Sequence, residues 1–195
     1  MNEWYIKGRK LEFEDETHTY RVDGHIVPSV TQLMKLKFGG KYSDVPADVL
    51  KKAQEKGTYI HKVIECYCNG FDDNSVYTRN FKFLQTRYRF HPIETELPII
   101  LEFGGKTYAG RLDLILEMDG KKILADIKTS YTLDREYLGH QLNLYRIGVE
   151  QSYDYKIEKL YGIHLRDDVR KMVEIPIKEE EWLLKSLGLM ETELQ

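Results

Sequence analysis

Apolar and polar positions change rhythm several times along the 195-residue chain, and each rhythm predicts an element. Residues 11–28 read as a hairpin, because 18–22 and 25–27 flank Asp23-Gly24, a strong two-residue turn signal. A helix then opens at Pro28-Ser29. Ser29 and Gln32 have the spacing of a capping box, and Val30, Leu33 and Leu36 supply an apolar stripe. Gly39-Gly40 ends it. A second helix is expected over 46–68, opened by a proline suited to the first turn and stopped by Asn69-Gly70. Gly57 interrupts it, either inside one helix or where two helices meet. A third, over 77–90, carries Phe81, Leu84 and Tyr88 on one face. After His91-Pro92 the period is that of strands, over 93–103, 106–118 and 121–128, with turns at Gly104-Gly105 and Asp119-Gly120. Helical spacing returns over 134–150 with Tyr137, Leu138, Leu142, Tyr145 and Val149. Residues 156–166 and 169–177 read as another strand pair, and 179–194 as a final amphipathic helix. Helices, three antiparallel strands, a helix and further strand describe an α/β (α+β) chain with a mixed sheet.

Composition narrows the possible roles. Hydrophobic residues make up 42% and charged residues 31%, which suits a folded globular chain rather than a disordered one. Lysine and arginine number 29 against 32 acids, a net charge of −3, so a wholesale basic polyanion binder is excluded and any nucleic-acid contact needs a local patch. Residues 74–93 offer one: Arg79, Lys82, Arg87 and Arg89 without an acid, interleaved with Tyr77, Phe81, Phe83, Tyr88 and Phe90. That is the texture of a surface that tracks a nucleic-acid strand, although part of the aromatic set belongs to the core. Two cysteines, Cys66 and Cys68, exclude a disulfide scaffold and any cluster of thiolates. No apolar run approaches the ~20 residues of a membrane span, and the N-terminus lacks the apolar core of a signal peptide. The expected location is cytoplasmic, with no membrane partner.

The most informative segment is 106–128. With Asp119-Gly120 as a two-residue turn, Met118 pairs with Lys121, and the register follows. Leu116 meets Ile123, Leu114 meets Ala125 and Leu112 meets Ile127, all apolar, so that face belongs against a core. On the other face Glu117 meets Lys122, a favourable pair, and Ile115 meets Leu124. A slip of one residue would bury the charges, so the register is well specified. It sets Asp113 opposite Asp126 at a spacing where like charges destabilise a sheet, with Lys128 on the same face. Two explanations stand. A hard divalent cation, Mg²⁺ or Mn²⁺, removes the repulsion between oxygen ligands; or Lys128 and Arg111 neutralise the acids on a solvated face.

At these residues the chain resembles the PD-(D/E)XK nuclease superfamily. Leu112-Asp113 stands at the first acid and Asp126-Ile127-Lys128 matches the (D/E)-X-K element. Gly110-Arg111-Leu112-Asp113 has the G-x-x-D form of the RecB-like and lambda-exonuclease-like branch, and Gln141 and Tyr145 reproduce its Q-x-x-x-Y. Residues 57–61 resemble its upstream G-x-x-x-H, and the hairpin leading into Pro28-Ser29-Val30-Thr31 is similar to the start of these proteins. The likeness spans roughly 11–150. Leu112 replaces the proline of the family name, and two cysteines are too few for the iron–sulfur versions, so no iron–sulfur cluster is expected. No Walker A motif is present, so no nucleotide is expected either.

The resemblance implies a restriction-endonuclease-like core, with one domain over 1–195, an N-terminal hairpin and helices over 11–90, and a catalytic core over about 57–177. It implies Asp113, Asp126, His61 and the carbonyl of Ile127 as ligands of Mg²⁺ or Mn²⁺. Lys128 would stand beside the attacking water, and Gln141 and Tyr145 would contact the backbone of the nucleic acid or position Lys128. Glu65, one turn beyond His61, and Glu96 are outer candidates; Glu94 is the rival of Glu96 on the same strand face. Arg79, Lys82, Arg87, Arg89 and Arg111 are candidate DNA contacts. The implied activity is a metal-dependent deoxyribonuclease, an exonuclease of recombination or repair in a phage or bacterium. The rivals are an endonuclease on the same fold and a non-catalytic DNA-binding or assembly subunit. Implied partners are DNA and either a second copy of the chain or a single-strand annealing recombination protein. His18, His25, His91 and His164 belong to no motif, and His140 is read as incidental.

Overall fold

A computed structural model describes residues 1–41 and 44–190. Four short strands come first: β1 (Asn2–Ile6), β2 (Arg9–Glu14), β3 (Thr19–Val22) and β4 (His25–Val27). They form an antiparallel sheet in sequence order. The expected Asp23-Gly24 hairpin is its β3–β4 half. The β1–β2 hairpin was not foreseen, because its Lys7-Gly8 turn lacks the asparagine or aspartate that favours a left-handed first position, which Lys7 nevertheless adopts at φ 45°. Leu11, Phe13, Tyr20 and Val22 of this sheet share a buried cluster with Ile100 and Ala109 of the main sheet. The Pro28 carbonyl accepts the Ala109 N–H at 3.0 Å.

Helix α1 (Val30–Phe38) opens with the predicted capping box: Ser29 Oγ accepts from the Gln32 N–H at 3.1 Å, and Gln32 Oε1 accepts from the Ser29 N–H at 2.7 Å. Helix α2 (Ala47–Cys68) runs unbroken through Gly57, so the two-helix alternative falls. A Cβ at Gly57 would stand 3.2 Å from Thr129 Oγ1, so the helix lies close on the loop that follows Lys128. Helix α3 (Val76–Tyr88) is shorter than expected. Arg89 takes a left-handed φ of 56° and starts β5 (Phe90–Phe103) three residues early. Pro92 sits at a register shift between Pro92 and Glu94, where a missing N–H is tolerated.

The main sheet continues with β6 (Lys106–Met118), β7 (Lys121–Lys128), β8 (Ile157–Leu165) and β9 (Arg170–Ile175), in the order β5-β6-β7-β8-β9. The pairs are antiparallel except β7–β8, which is parallel because helix α4 (Arg135–Ser152) carries the chain back across the sheet. This is the mixed α+β arrangement that the pattern implied. Helix α5 (Glu180–Ser186) ends far short of the expected 194, with Gly188 in a left-handed turn; residues 191–194 of that expectation lie outside the described residues. Among the described residues no helix is long and apolar enough to cross a membrane.

Both sheet faces are covered. Leu114, Leu116, Ile123, Ala125 and Ile127 pack against Ile60 and Ile64 of α2 and Phe81 and Leu84 of α3. Ile115 and Leu124, on the reverse face, are buried with Leu138, Leu142 and Tyr145 of α4. The reverse face is therefore not the solvated surface that one alternative required. Five predicted pairs hold, from Met118↔Lys121 to Leu114↔Ala125. There the β6–β7 ladder stops. Leu112↔Ile127 and Asp113↔Asp126 are not ladder pairs, and Leu112 packs with the α4-side cluster. Beyond that point β7 stays in the sheet through its parallel partner β8, while β5 remains paired to β6.

Candidate metal centre

Where β6 and β7 part, a backbone donor loses its strand partner, and a side chain replaces it. Asp113 Oδ2 accepts the Ile127 N–H at 2.7 Å. Its other oxygen, Oδ1, lies 3.4 Å from His61 Nδ1 on α2. Glu96 on β5 completes the group: ligand atoms of His61, Glu96 and Asp113 all lie within 4.8 Å of one another. Glu96 takes a left-handed φ of 50° in mid-strand, between the pairs Thr95↔Leu114 and Leu97↔Leu112. Strain of this kind, of order 1–3 kcal/mol, concentrates at functional sites. The rival Glu94 is occupied elsewhere, accepting from Tyr155 Oη at 3.0 Å.

Asp126 and Lys128 stand beside this group. Lys128 Nζ is 2.7 Å from Asp126 Oδ2 and donates to Gln141 Oε1 at 2.8 Å. The Tyr137 ring lies 5.8 Å from the same ammonium. Asp126 Oδ2 is enclosed, with that ammonium as ionic neighbour and no donor aligned for a hydrogen bond. Gln141 and Tyr145 share one face of α4, as their spacing requires. Gly110 lets Tyr145 approach the sheet: a Cβ there would meet Tyr145 Cε1 at 2.9 Å and Val30 Cγ2 at 3.3 Å.

Electrostatics follow from this crowding. Burial pushes the Asp126 carboxyl up to about 6, against the pull of Lys128, with the Asp113 charge adding to the rise. Burial also opposes ionisation of Asp113, but His61 and Lys128 outweigh it and hold its carboxyl below the ordinary value. For His61, burial disfavours the cation, yet the charge and hydrogen bond of Asp113 raise it to about 9. Lys128 is desolvated too, and Asp126 and Asp113 keep it charged. Burial and the Asp113 charge raise Glu96, although Arg111 Nε bonds its Oε2 at 2.6 Å.

His61, Glu96 and Asp113 line a cleft of about 610 Å³ together with Gly110 and Tyr145, whereas Asp126, Lys128 and Gln141 stand behind that lining. Helix α2 supplies one wall, including Gly57, Lys62 and Glu65, and Asp15, His18 and Tyr20 of the N-terminal sheet supply the other. Glu65 is ion-paired with Lys62 at 2.9 Å on that wall. Arg111 lines the cleft, its guanidinium 5.3 Å from the Phe13 ring centroid. Arg79, Lys82, Arg87 and Arg89 do not line it. Lys82 pairs with Asp72, Arg79 bonds the Asn74 carbonyl, and Arg87 and Arg89 are exposed at the far end of α3. His140 is fully buried between the Glu136 carbonyl and Ser186 Oγ, and His164 bonds the Ser130 carbonyl, so both serve the fold. The sequence did not single out Asp15, His18 and Tyr20 as a wall of the cleft, because none of them belongs to a motif.

No family model matches the chain, and no curated protein matches it. Among solved structures it is similar to a protein named SSO0001, with 21% identity over 83% of this chain and 73% of the other, at a TM-score of 0.48. It is also similar to a protein of Eubacterium rectale named "Putative exonuclease", with 12% identity over 84% of this chain and 76% of the other, at a TM-score of 0.49. At these levels of similarity the chemistry has to be argued from this chain's own residues.

Proposed function

We propose that the chain is a Mg²⁺- or Mn²⁺-dependent deoxyribonuclease of the PD-(D/E)XK type, an exonuclease that leaves 5′-phosphate and 3′-hydroxyl ends. The observation that carries this reading is one constellation: three ligand atoms from His61, Glu96 and Asp113 within 4.8 Å, beside the paired Asp126 and Lys128. One imidazole and two carboxylates suit Mn²⁺ and accept Mg²⁺. The buried Asp126 Oδ2, with no aligned hydrogen-bond donor, offers a further oxygen, and the Ile127 carbonyl is the backbone candidate.

Each side chain has a distinct task in this reading. Asp113 divides its oxygens, one steadying the parted strands through Ile127 and one facing His61. His61 must give up its proton before it can act as a ligand. Glu96 must exchange part of its bond to Arg111 for the cation, which frees the guanidinium to meet a phosphate oxygen. Lys128, oriented by Gln141, can offset negative charge that builds up on the phosphorus oxygens in the transition state. A bound divalent cation supplies Lewis acidity and lowers the pKa of its water.

End-labelled linear single and double strands, and a covalently closed circle, should be incubated with Mg²⁺, Mn²⁺ or EDTA. The expected result is metal-dependent degradation of linear DNA with the circle left intact. Cleavage of the circle would point to an endonuclease, and no cleavage with either metal would overturn the reading.

A further inference from the structure

The turn between β2 and β3 overhangs the cleft with a residue that the nuclease reading leaves unused. His18 is exposed, lines the cleft beside Tyr20 and Asp15, and adopts a left-handed φ of 52°. That conformation is uncommon away from glycine and collects at ligand clamps. The turn around it is braced, with Thr17 Oγ1 donating to Glu14 Oε2 at 2.8 Å and lying 2.9 Å from Thr19 Oγ1. The imidazole meets Phe13 edge-on, with centroids 5.1 Å apart at 85°, and Tyr20 at 6.3 Å and 78°. Two buried rings thus hold a third, exposed ring at the mouth of the cleft. Phe13 also contacts the Arg111 guanidinium, which bonds Glu96 on the floor, so packed contacts join the exposed ring to the candidate metal group.

Size and charge indicate what such a ring would meet. A cleft of about 610 Å³ is on the scale of a small-ligand pocket and has room for an unpaired nucleotide. The carboxylates Asp15, Glu65, Glu96 and Asp113 line it against Lys62, Arg111 and the His61 imidazole, each of which is already paired with a carboxylate. Without a bound cation, charge alone therefore draws no phosphate chain inward. Stacking of bases on aromatic rings supplies affinity without net charge and tolerates any sequence.

We propose that the β2–β3 turn is a nucleotide clamp in which His18 stacks on a base of an unpaired strand whose neighbouring phosphate lies over His61, Glu96 and Asp113. The position of that phosphate rests on the nuclease reading; the stack itself does not.

The test is binding of a short fluorescein-labelled DNA single strand, followed by anisotropy with Ca²⁺ in place of Mg²⁺. His18→Asn keeps a residue that tolerates the left-handed backbone and removes the ring; His18→Gly checks that the turn survives. Both should bind about tenfold more weakly, the scale of one base–aromatic stack. A series of strands, each with one abasic site, should contain one position whose base matters to the wild type and not to His18→Asn. Absence of wild-type binding, variants that bind as tightly as the wild type, or equal weakening by every abasic site would each overturn the clamp. Because binding is read without turnover, a His18-dependent binder that cleaves nothing in Mg²⁺ or Mn²⁺ would sink the nuclease reading alone. A nuclease with no His18-dependent position would sink the clamp alone.

Discussion

The two ends of the β6–β7 hairpin obey different rules. Near the Asp119-Gly120 turn, five successive pairs follow the register that apolar alternation demands, with Glu117 set opposite Lys122, whose ammonium lies 4.9 Å from the centre of the Tyr155 ring. At the open end the ladder stops after Leu114↔Ala125, and backbone pairing gives way to the bond from the Ile127 N–H to Asp113. The turn end is stabilised by repetition, so each pair there is replaceable. The open end concentrates several tasks in single side chains, because Asp113 is at once a strand clasp, a counter-charge for His61 and a candidate ligand.

The sharpest way to break that contrast is to separate the tasks of Asp113. Asp113→Asn keeps a carbonyl oxygen for the Ile127 N–H and removes the charge. It should lower turnover about 10³-fold or more, on the scale of losing a principal electrostatic group, and should cost the stability that the charge lends beside His61 and Lys128 while keeping the clasp. Asp113→Ala should lose activity equally and be less stable than Asp113→Asn by about 1–3 kcal/mol, for the buried N–H left unpaired. Denaturant melts paired with single-turnover assays measure both; equal melts for the two variants would show that the clasp carries no stability.

Lys128 comes next in size. Lys128→Ala should cost about 10²-fold in turnover, with DNA affinity largely retained, because a group that acts on the transition state changes turnover more than binding. A normal single-turnover rate with reduced affinity would make Lys128 a phosphate contact only.

Asp126 gives a pH test on the metal-free protein. Its folded pKa, about 6, is above the ordinary carboxylate value, so the folded chain binds a proton that the unfolded chain has released. Stability should therefore fall as pH rises from roughly 4 to 6. Asp126→Asn removes this dependence. It should be more stable than wild type above pH 6 in EDTA, and the difference should close below about pH 4. A pH-independent difference in melting temperature would deny the burial cost assigned to Asp126.

The smallest effect belongs to the turn end. Glu117→Ala should cost about 0.2–1 kcal/mol, the value of one exposed cross-strand charge pair, and leave cleavage unchanged. A large loss of activity would mean that the two ends are coupled more tightly than their packing shows.

Much of this contrast was legible in the chain. Asp119-Gly120 and the apolar alternation specified the register near the turn, and the i,i+4 spacing of Gln141 and Tyr145 put them on one helix face. Ser29 and Gln32 announced their capping box. The same register, extended too far, paired Asp113 with Asp126 in a ladder. Pattern alone carries no sign that a strand will change partners from β6 to β8, since that depends on where α4 returns the chain. Periodicity also left Glu94 and Glu96 equivalent; a left-handed backbone at Glu96 and the Tyr155 hydroxyl at Glu94 separate them. In the basic-aromatic segment 74–93, packing sends Phe81 and Phe90 into the core, leaves Phe83 exposed and keeps the cations out of the cleft lining.

By itself the sequence determined which candidate residues share a face within a regular stretch, because side-chain direction repeats every two residues in a strand and about every 3.6 in a helix. Only the tertiary structure decided that Glu96 rather than Asp126 groups with His61 and Asp113, and that His18 lines the same cleft. Those juxtapositions bring the β2–β3 turn and α2 to the β5–β6 hairpin, segments far apart in the chain, and they depend on packing that no local period encodes.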